Sequence, residues 1–230
     1  MHILGFDHTT LLDFPGNIAA TIFLGGCNLR CPFCHNAGLL HITTANEISY
    51  VSVLSYLKKR SNILEGVCIT GGEPTLNPDL PMLIQEIKDL GLRVKLDTNG
   101  TNPMLLEQLL HDSMLDYVAM DIKNSKQKYS ITCGKNINLD AIEQSITLLK
   151  QNTIPYEFRT TVVKGLHNYD DFKWIGEWLK GECSYFLQNY VESQQILLPH
   201  VFSAYSMDEL HNIQNILLPY LPHTLIRGLT

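Results

Sequence analysis

Short runs of aliphatic and β-branched residues alternate along the chain with longer runs in which apolar positions recur three and four apart, and the alternation predicts a βαβα succession. The strand candidates are IAATIFL at 18–24, EGVCIT at 65–70, RVKLDT at 93–98, DYVAMDI at 116–122, YEFRTTVV at 156–163, SYFLQN at 184–189 and TLIRGL at 224–229. Among the helices, one carries Leu80, Leu83, Ile84, Ile87 and Leu90 on a single face, with Asn77-Pro78 before it and Gly91 after it. Leu139, Ile142, Ile146 and Leu149 mark another. Such stripes are surfaces that face a core, so they carry no functional weight. A repeat of roughly thirty residues per unit is what parallel crossovers need, and six or so units predict an α/β fold of parallel strands, a barrel or partial barrel. A doubly wound open sheet has the same periodicity and competes with it.

Length and charge narrow the class. The 230 residues suffice for one substantial core, and no linker or charge block divides them, so a single domain over 1–230 is expected. Hydrophobic residues make up 45% and charged residues 17%, with a formal net charge of −6, which argues against a nucleic-acid partner because that would need a basic face. The start, MHILGFDHTTLLDFPG, lacks the charged-then-apolar plan of a leader, and no apolar run reaches membrane-spanning length. A cytoplasmic protein with reduced thiols is expected, so a dense cysteine cluster points to metal.

The unusual residues fall at or just after successive strand ends. FLGGCNLRCPFCHNAGLL (23–40) follows the first strand and GGEPT (71–75) the second. DTNG (97–100) and MDIK (120–123) end the third and fourth, and RTT (159–161) lies in the fifth. In parallel α/β folds these ends converge on one rim, where ligands bind, so a single composite site is expected. Cys27, Cys31 and Cys34 have the spacing C-x3-C-x2-C, tight enough for one loop to wrap a metal centre. A Cys3His zinc site using His35 is one reading, although adjacent Cys34 and His35 reach one tetrahedron with difficulty. An iron–sulfur cluster with three thiolates and one open iron is the other.

The cysteine loop, with Phe33 before its last cysteine and the glycine pair GGE downstream, resembles that of the radical S-adenosylmethionine (SAM) enzymes. Within them DFPG (13–16), GCNLRCPFCHN (26–36), GGEPTL (71–76), KLDTNG (95–100), DYVAMDIK (116–123) and EFRTTVV (157–163) resemble the activating enzymes of glycyl radical enzymes, most closely the type that serves anaerobic ribonucleoside-triphosphate reductase. The resemblance runs in order from residue 13 to about 190 and implies an α/β fold, a partial (β/α)6 TIM-like barrel of the radical SAM type with parallel strands. It implies that Cys27, Cys31 and Cys34 hold a 4Fe-4S cluster whose open iron chelates SAM, and that the reduced cluster cleaves SAM to a 5′-deoxyadenosyl radical that takes hydrogen from a glycine of a partner glycyl radical enzyme. A flavodoxin or ferredoxin would supply the electron.

By the same resemblance Gly71 and Gly72 contact the methionine amino group, Phe33 faces the adenine, and Glu73, Asp97, Thr98 and Asn99 line the cofactor site. Lys123 would face the methionine carboxylate, and Arg159 with Thr161 the ribose and carboxylate region. The oxygens of Asp97, Thr98 and Asp121 suggest a cage for a cation. Asp13 is a candidate for substrate approach or radical gating, or else part of a plain turn. His35 and Asn36 would support the loop, and Gln188 or Asn189 would stand where some activators carry a histidine. Cys68, Cys133 and Cys183 read as packing thiols. No inserted cysteine-rich segment is present, so one cluster is expected. Turnover on a small molecule or another peptide, and a zinc-bound protein without turnover, are the alternatives.

Overall fold

The computed structural model of the chain describes residues 1–42 and 46–228. Its elements run β1 (Ile3–Thr10), β2 (Ala19–Leu24), α1 (Tyr50–Arg60), β3 (Gly66–Gly71), α2 (Leu80–Asp89), β4 (Arg93–Thr98), α3 (Pro103–His111), β5 (Tyr117–Asp121), α4 (Tyr129–Cys133), α5 (Leu139–Gln151), β6 (Tyr156–Val162), α6 (Tyr169–Leu179), β7 (Ser184–Asn189), α7 (Met207–Leu217) and β8 (Thr224–Arg227). The strands form one sheet in sequence order, β2 to β8 parallel and β1 antiparallel on β2. Each of β2 to β7 is followed by at least one helix, the six-unit plan that the periodicity predicts. Among the described residues no ladder joins β8 back to β1, so the sheet is a partial barrel with two free edges.

The predicted strands lie within about a residue of the observed ones, except that the last ends at Arg227; Leu229, inside the predicted range, lies outside the described residues. One difference has a physical cause. The strands are not all parallel, because β1 is an additional edge strand. Its sequence ILGFDHTT alternates poorly and has only Ile3 fully buried, so it carries no strand signal of the usual kind.

Alternation along each parallel strand sorts the sheet into two faces. Outward residues such as Val94, Leu96, Val118, Met120, Phe158 and Leu187 are buried beneath the helices. The inner face is polar: Thr21, Cys68, Lys95, Asp97, Asp121, Glu157 and Arg159 sit on it. Toward the last strands, Arg227 of β8 makes a two-pronged pair with the fully buried Glu157 of β6 at 2.6 and 2.8 Å, and Tyr117 donates to the same carboxylate at 2.8 Å. The guanidinium also lies 3.8 Å from the centre of the Phe186 ring. β8 is thereby anchored across β7.

The β6–α6 turn is fixed by His167, only 4% exposed. Its Nδ1 accepts from the Val163 N–H at 3.2 Å and its Nε2 donates to the Lys123 carbonyl at 2.9 Å, a pattern that suits the neutral imidazole. Burial pushes its pKa below the ordinary value, although the two backbone contacts oppose this. The adjoining helix starts with a reciprocal cap between Asn168 and Asp171.

Replacement Arg227→Met should destabilise the protein by about 2–3 kcal/mol in urea unfolding, at the low end for an orphaned buried carboxylate because Arg227 is 31% exposed. Adding Glu157→Gln should recover most of that loss. For His167, the unfolded chain takes up a proton first as pH falls below about 6.5, so its contribution is present at neutral pH and lost toward acid. The urea midpoint should decline from pH 7.5 to 5.5 with a slope from this group of at most about 1.4 kcal/mol per pH unit, and His167→Gln should flatten it.

Candidate radical site at the strand ends

The cysteine loop leaves β2 at Leu24 and is pinned to its neighbour by backbone bonds. The Gly26 N–H donates to the Leu39 carbonyl at 2.8 Å, and the Gly26 carbonyl accepts from the Glu73 N–H at 2.8 Å. The two loops cross so closely that a Cβ at Gly72 would stand 1.9 Å from the Gly26 carbonyl oxygen, which only glycine allows. Arg30 curls the loop by donating from Nη1 to the Cys27 and Leu29 carbonyls at 2.7 Å each. Asn36 ties its far end to the Gly71 carbonyl at 3.1 Å, the supporting role expected of it.

Cys27, Cys31 and Cys34 line one cleft together with Phe33, Gly71, Gly72, Glu73, Asp97, Thr98, Asn99, Asp121, Lys123, Arg159, Thr161 and Gln188. The cleft measures about 910 Å³ out to its open mouth. Thus every predicted site residue but Asp13 is brought to one place. Asp13 lies outside this lining and accepts from Thr21 Oγ1 at 2.6 Å, in the hairpin at the opposite ends of the strands, so a contact at the cleft is not what it makes.

The thiols differ in environment. Burial pushes Cys27 up to about 11 and raises Cys34. Cys31 is shifted the other way, below the ordinary thiol value, with Cys133 as the main cause. Cys133 ends α4 and is fully buried, as expected of a packing thiol, and its carbonyl accepts from the Arg30 N–H at 2.9 Å. No spacing signal ties it to a loop a hundred residues earlier.

The carboxylates facing the cleft are all engaged. Glu73 is fully buried, with Oε1 accepting from Thr75 N–H, Thr75 Oγ1 and Thr98 Oγ1 at 3.1, 2.5 and 2.8 Å and Oε2 from Asn99 N–H at 2.6 Å. It welds the GGEPT loop to DTNG. Asn99 is likewise spent on Asn28 and Thr101 at 3.0 and 2.7 Å. Asp121 accepts from Lys123 at 2.9 Å and from Arg159 Nε at 3.0 Å, while Asp97 accepts from Arg159 Nη1 at 3.2 Å and from Lys95. Burial alone would raise both carboxyls, but Arg159 with Lys123 or Lys95 more than offsets it and holds both below the ordinary range.

These contacts correct two expectations. The oxygens of Asp97 and Asp121 do not stand open as a cage for a cation, because the protein's own cations occupy them. The zinc alternative is not assembled either: among the described residues no three His, Cys, Asp or Glu side chains converge to hold a single ion, and His35 packs beside Tyr190 with ring centres 5.8 Å apart. Gln188 lines the cleft, whereas Asn189 is spent on the backbone of Tyr205 at 2.8 and 3.1 Å. Lys95, absent from the predicted site, was legible as the residue two before Asp97 on the same strand face.

Comparison with known proteins gives the same reading. The sequence model of the Radical SAM superfamily matches residues 21–179. A protein of Methanocaldococcus jannaschii named "Putative glycyl-radical enzyme activating enzyme MJ1227" is 33% identical over 196 residues, covering 82% of this chain and 79% of that protein. A "Probable GTP 3',8-cyclase" of Pyrococcus horikoshii is 32% identical over 167 residues, where the alignment spans 70% of this chain but 51% of the relative. Among solved structures, Streptococcus suis SuiB bound to S-adenosylmethionine superposes with a TM-score of 0.70 at 15% identity, over 90% of this chain and 52% of SuiB, a likeness of fold. With its cysteine loop, its six-unit partial barrel and a superfamily match over most of its length, this chain belongs to the radical SAM superfamily, whose members work with a 4Fe-4S cluster and S-adenosylmethionine.

Proposed function

We propose that this radical SAM enzyme is an activating enzyme that takes a hydrogen atom from a glycine of a partner glycyl radical enzyme, with anaerobic ribonucleoside-triphosphate reductase as the favoured partner. The observation that carries the reading is a cleft holding three thiols of one loop, set in a sheet whose edges β1 and β8 are not joined among the described residues. Side entry suits a polypeptide loop as substrate, since a closed small barrel is filled by its own side chains. The relatives named as glycyl-radical enzyme activating enzymes, at 33% and 27% identity over 82% and 83% of this chain, support the same class.

The donor set fits the cofactors. Cys27, Cys31 and Cys34 would hold the cluster, leaving one iron for the amino and carboxylate groups of S-adenosylmethionine. Bound there, the cluster supplies one electron that cleaves the sulfonium to methionine and a 5′-deoxyadenosyl radical, the hydrogen-abstracting species. The protein's part is positioning. Gly71 and Gly72 leave a wall with no side chains on which an amino group can be held by backbone oxygens. Three cations, Lys95, Lys123 and Arg159, face two carboxylates, Asp97 and Asp121, so one positive charge remains for the methionine carboxylate. Phe33, 4% exposed, offers an apolar wall to the adenine. The electron would come from a flavodoxin or ferredoxin, in a reducing cytoplasm that keeps the thiols free.

Anaerobic incubation of the cluster-reconstituted protein with S-adenosylmethionine, reductant and an anaerobic ribonucleoside-triphosphate reductase should give a glycine-centred doublet by electron paramagnetic resonance, lost in Cys34→Ala. Cleavage of S-adenosylmethionine that depends on GTP or on an added peptide, with no glycine radical from any glycyl enzyme, would instead favour the chemistry named for the cyclase relatives or a peptide-modifying role. Arg159→Lys keeps the charge but cannot bridge Asp97 and Asp121 at once; binding of S-adenosylmethionine in equilibrium dialysis should weaken by about tenfold or more.

A further inference from the structure

We propose that Lys95 is a tethered cation: its ammonium supplies from the chain itself the positive charge that the carboxylates at the floor of the cleft require, so that no separate metal cation binds there. The role deepens the reading of the cleft as a site for S-adenosylmethionine, and nothing in it depends on which protein substrate is activated.

Lys95 sits in the middle of β4, between Cys68 of β3 and Tyr117 of β5, with its side chain 2% exposed. Strands covered on both faces are ordinarily apolar, and a lysine buried among them without a purpose for its charge is unfavourable. Its Nζ contacts Asp97 Oδ1 and, at 3.6 Å, Cys68 Sγ. The remaining carboxylate oxygens of the floor hold Arg159 at 3.2 and 3.0 Å and Lys123 at 2.9 Å. Each of the four oxygens of Asp97 and Asp121 therefore already holds a protein cation.

A hard metal ion needs several oxygens at about 2.0–2.6 Å. Here it could gather them only by displacing protein cations, and at Asp97 Oδ1 that cation is the Lys95 ammonium, which its strand position aims there. A tethered ammonium differs from a bound ion in a way that can be measured: its effective concentration is fixed by the chain, so occupancy cannot vary with the salt outside. Removing the tether while leaving room should convert the site into one that borrows its cation from solution.

The experiment uses the anaerobically reconstituted holoenzyme, as wild type, Lys95→Ala and Lys95→Met, at constant ionic strength with choline chloride exchanged for sodium, potassium or ammonium chloride. S-adenosylmethionine affinity is read by equilibrium dialysis, and the melting temperature is read alongside it. Wild type should behave alike in every salt. Lys95→Ala should bind the ligand at least about tenfold more weakly in choline and regain most of that in one of the small cations, with a melting temperature higher by about 2–4 °C there. Lys95→Met, which fills the space without charge, should stay weak in every salt. Wild-type affinity that rises severalfold when choline is replaced would show an exchangeable ion beside Lys95 and overturn the proposal. So would a Lys95→Ala protein that binds normally in choline, or one whose weakness no cation relieves. Should Lys95→Ala fail to fold, the wild-type salt series and Lys95→Met still decide: salt-dependent wild-type binding, or full affinity in Lys95→Met, defeats the idea. Loss of the glycine radical with normal salt-independent cofactor binding would count against the partner and leave Lys95 as assigned.

Discussion

The site depends on a ladder of alternating charge, Lys95, Asp97, Arg159, Asp121 and Lys123, that crosses β4, β5 and β6, buried at Lys95 and partly open at Asp121. Carboxylates drawn partly out of water are unfavourable unless they are paired, because desolvating a charge is costly. They persist because every oxygen has a cationic donor. Arg159 is the hinge of the arrangement: its planar fork reaches Asp121 through Nε and Asp97 through Nη1, a geometry that a flexible ammonium does not provide. Period-two alternation along three parallel strands is what brings these side chains to the same side, so a slip of one residue in any of them would bury the charges among the helices. The ladder thus specifies strand register while it presents a cationic floor to the cleft.

Against that floor stands a wall made of backbone. The cysteine loop and the GGEPT loop meet at the Gly26–Gly72 crossing, and Glu73 carries the weld on to DTNG. Glu73 resembles a ligand in sequence yet acts as a joint: four donors surround it and none is left for a cofactor. The thiols are therefore held by a loop that is itself fixed at Gly26, Arg30 and Asn36, so little ordering remains to be done when a ligand arrives. The Cys133 carbonyl at the end of α4 accepts from the Arg30 N–H, drawing the βα connection after β5 into the same structure.

Much of this was legible in the chain. The strands from β2 to β7 follow from runs such as IAATIFL and RVKLDT because they are buried on both sides or alternate cleanly, and the placing of odd residues at their ends located the cleft. What escaped has definable reasons. β1 lies on an edge with one residue fully buried, so hydrophobicity says little about it. The acidic residues of DTNG and MDIK advertise a cation, but a sequence does not show that the cation is a lysine two positions upstream until strand alternation is applied to polar residues as strictly as to apolar ones. Cys133 is linked to Cys31 by tertiary packing alone. Asp13 belongs to a family-like motif, yet the antiparallel turn from β1 into β2 puts it at the far end of the strands from the thiols.

The segment after β7, which lies beyond the stretch the resemblance covers, packs over the cysteine loop. Leu198 donates its N–H to the Pro32 carbonyl at 2.9 Å, Tyr190 lies beside His35, and Ser203 bridges to Lys164. Tyr205 closes the arc by donating its hydroxyl to the His167 carbonyl at 2.6 Å, and His167 in turn holds the backbone of Lys123 at 2.9 Å. A continuous set of contacts therefore runs from the outer strap through His167 to the cationic floor. The strap makes these bonds largely through backbone atoms and aromatic rims, which constrain side-chain identity weakly. Its outward positions, with Val191 65% and Val201 61% exposed, are constrained still less by folding. The ladder and the glycine crossing tolerate few alternatives, whereas the strap needs only its length and a few anchors, which is why the core of the site can be read from motifs and its cover cannot.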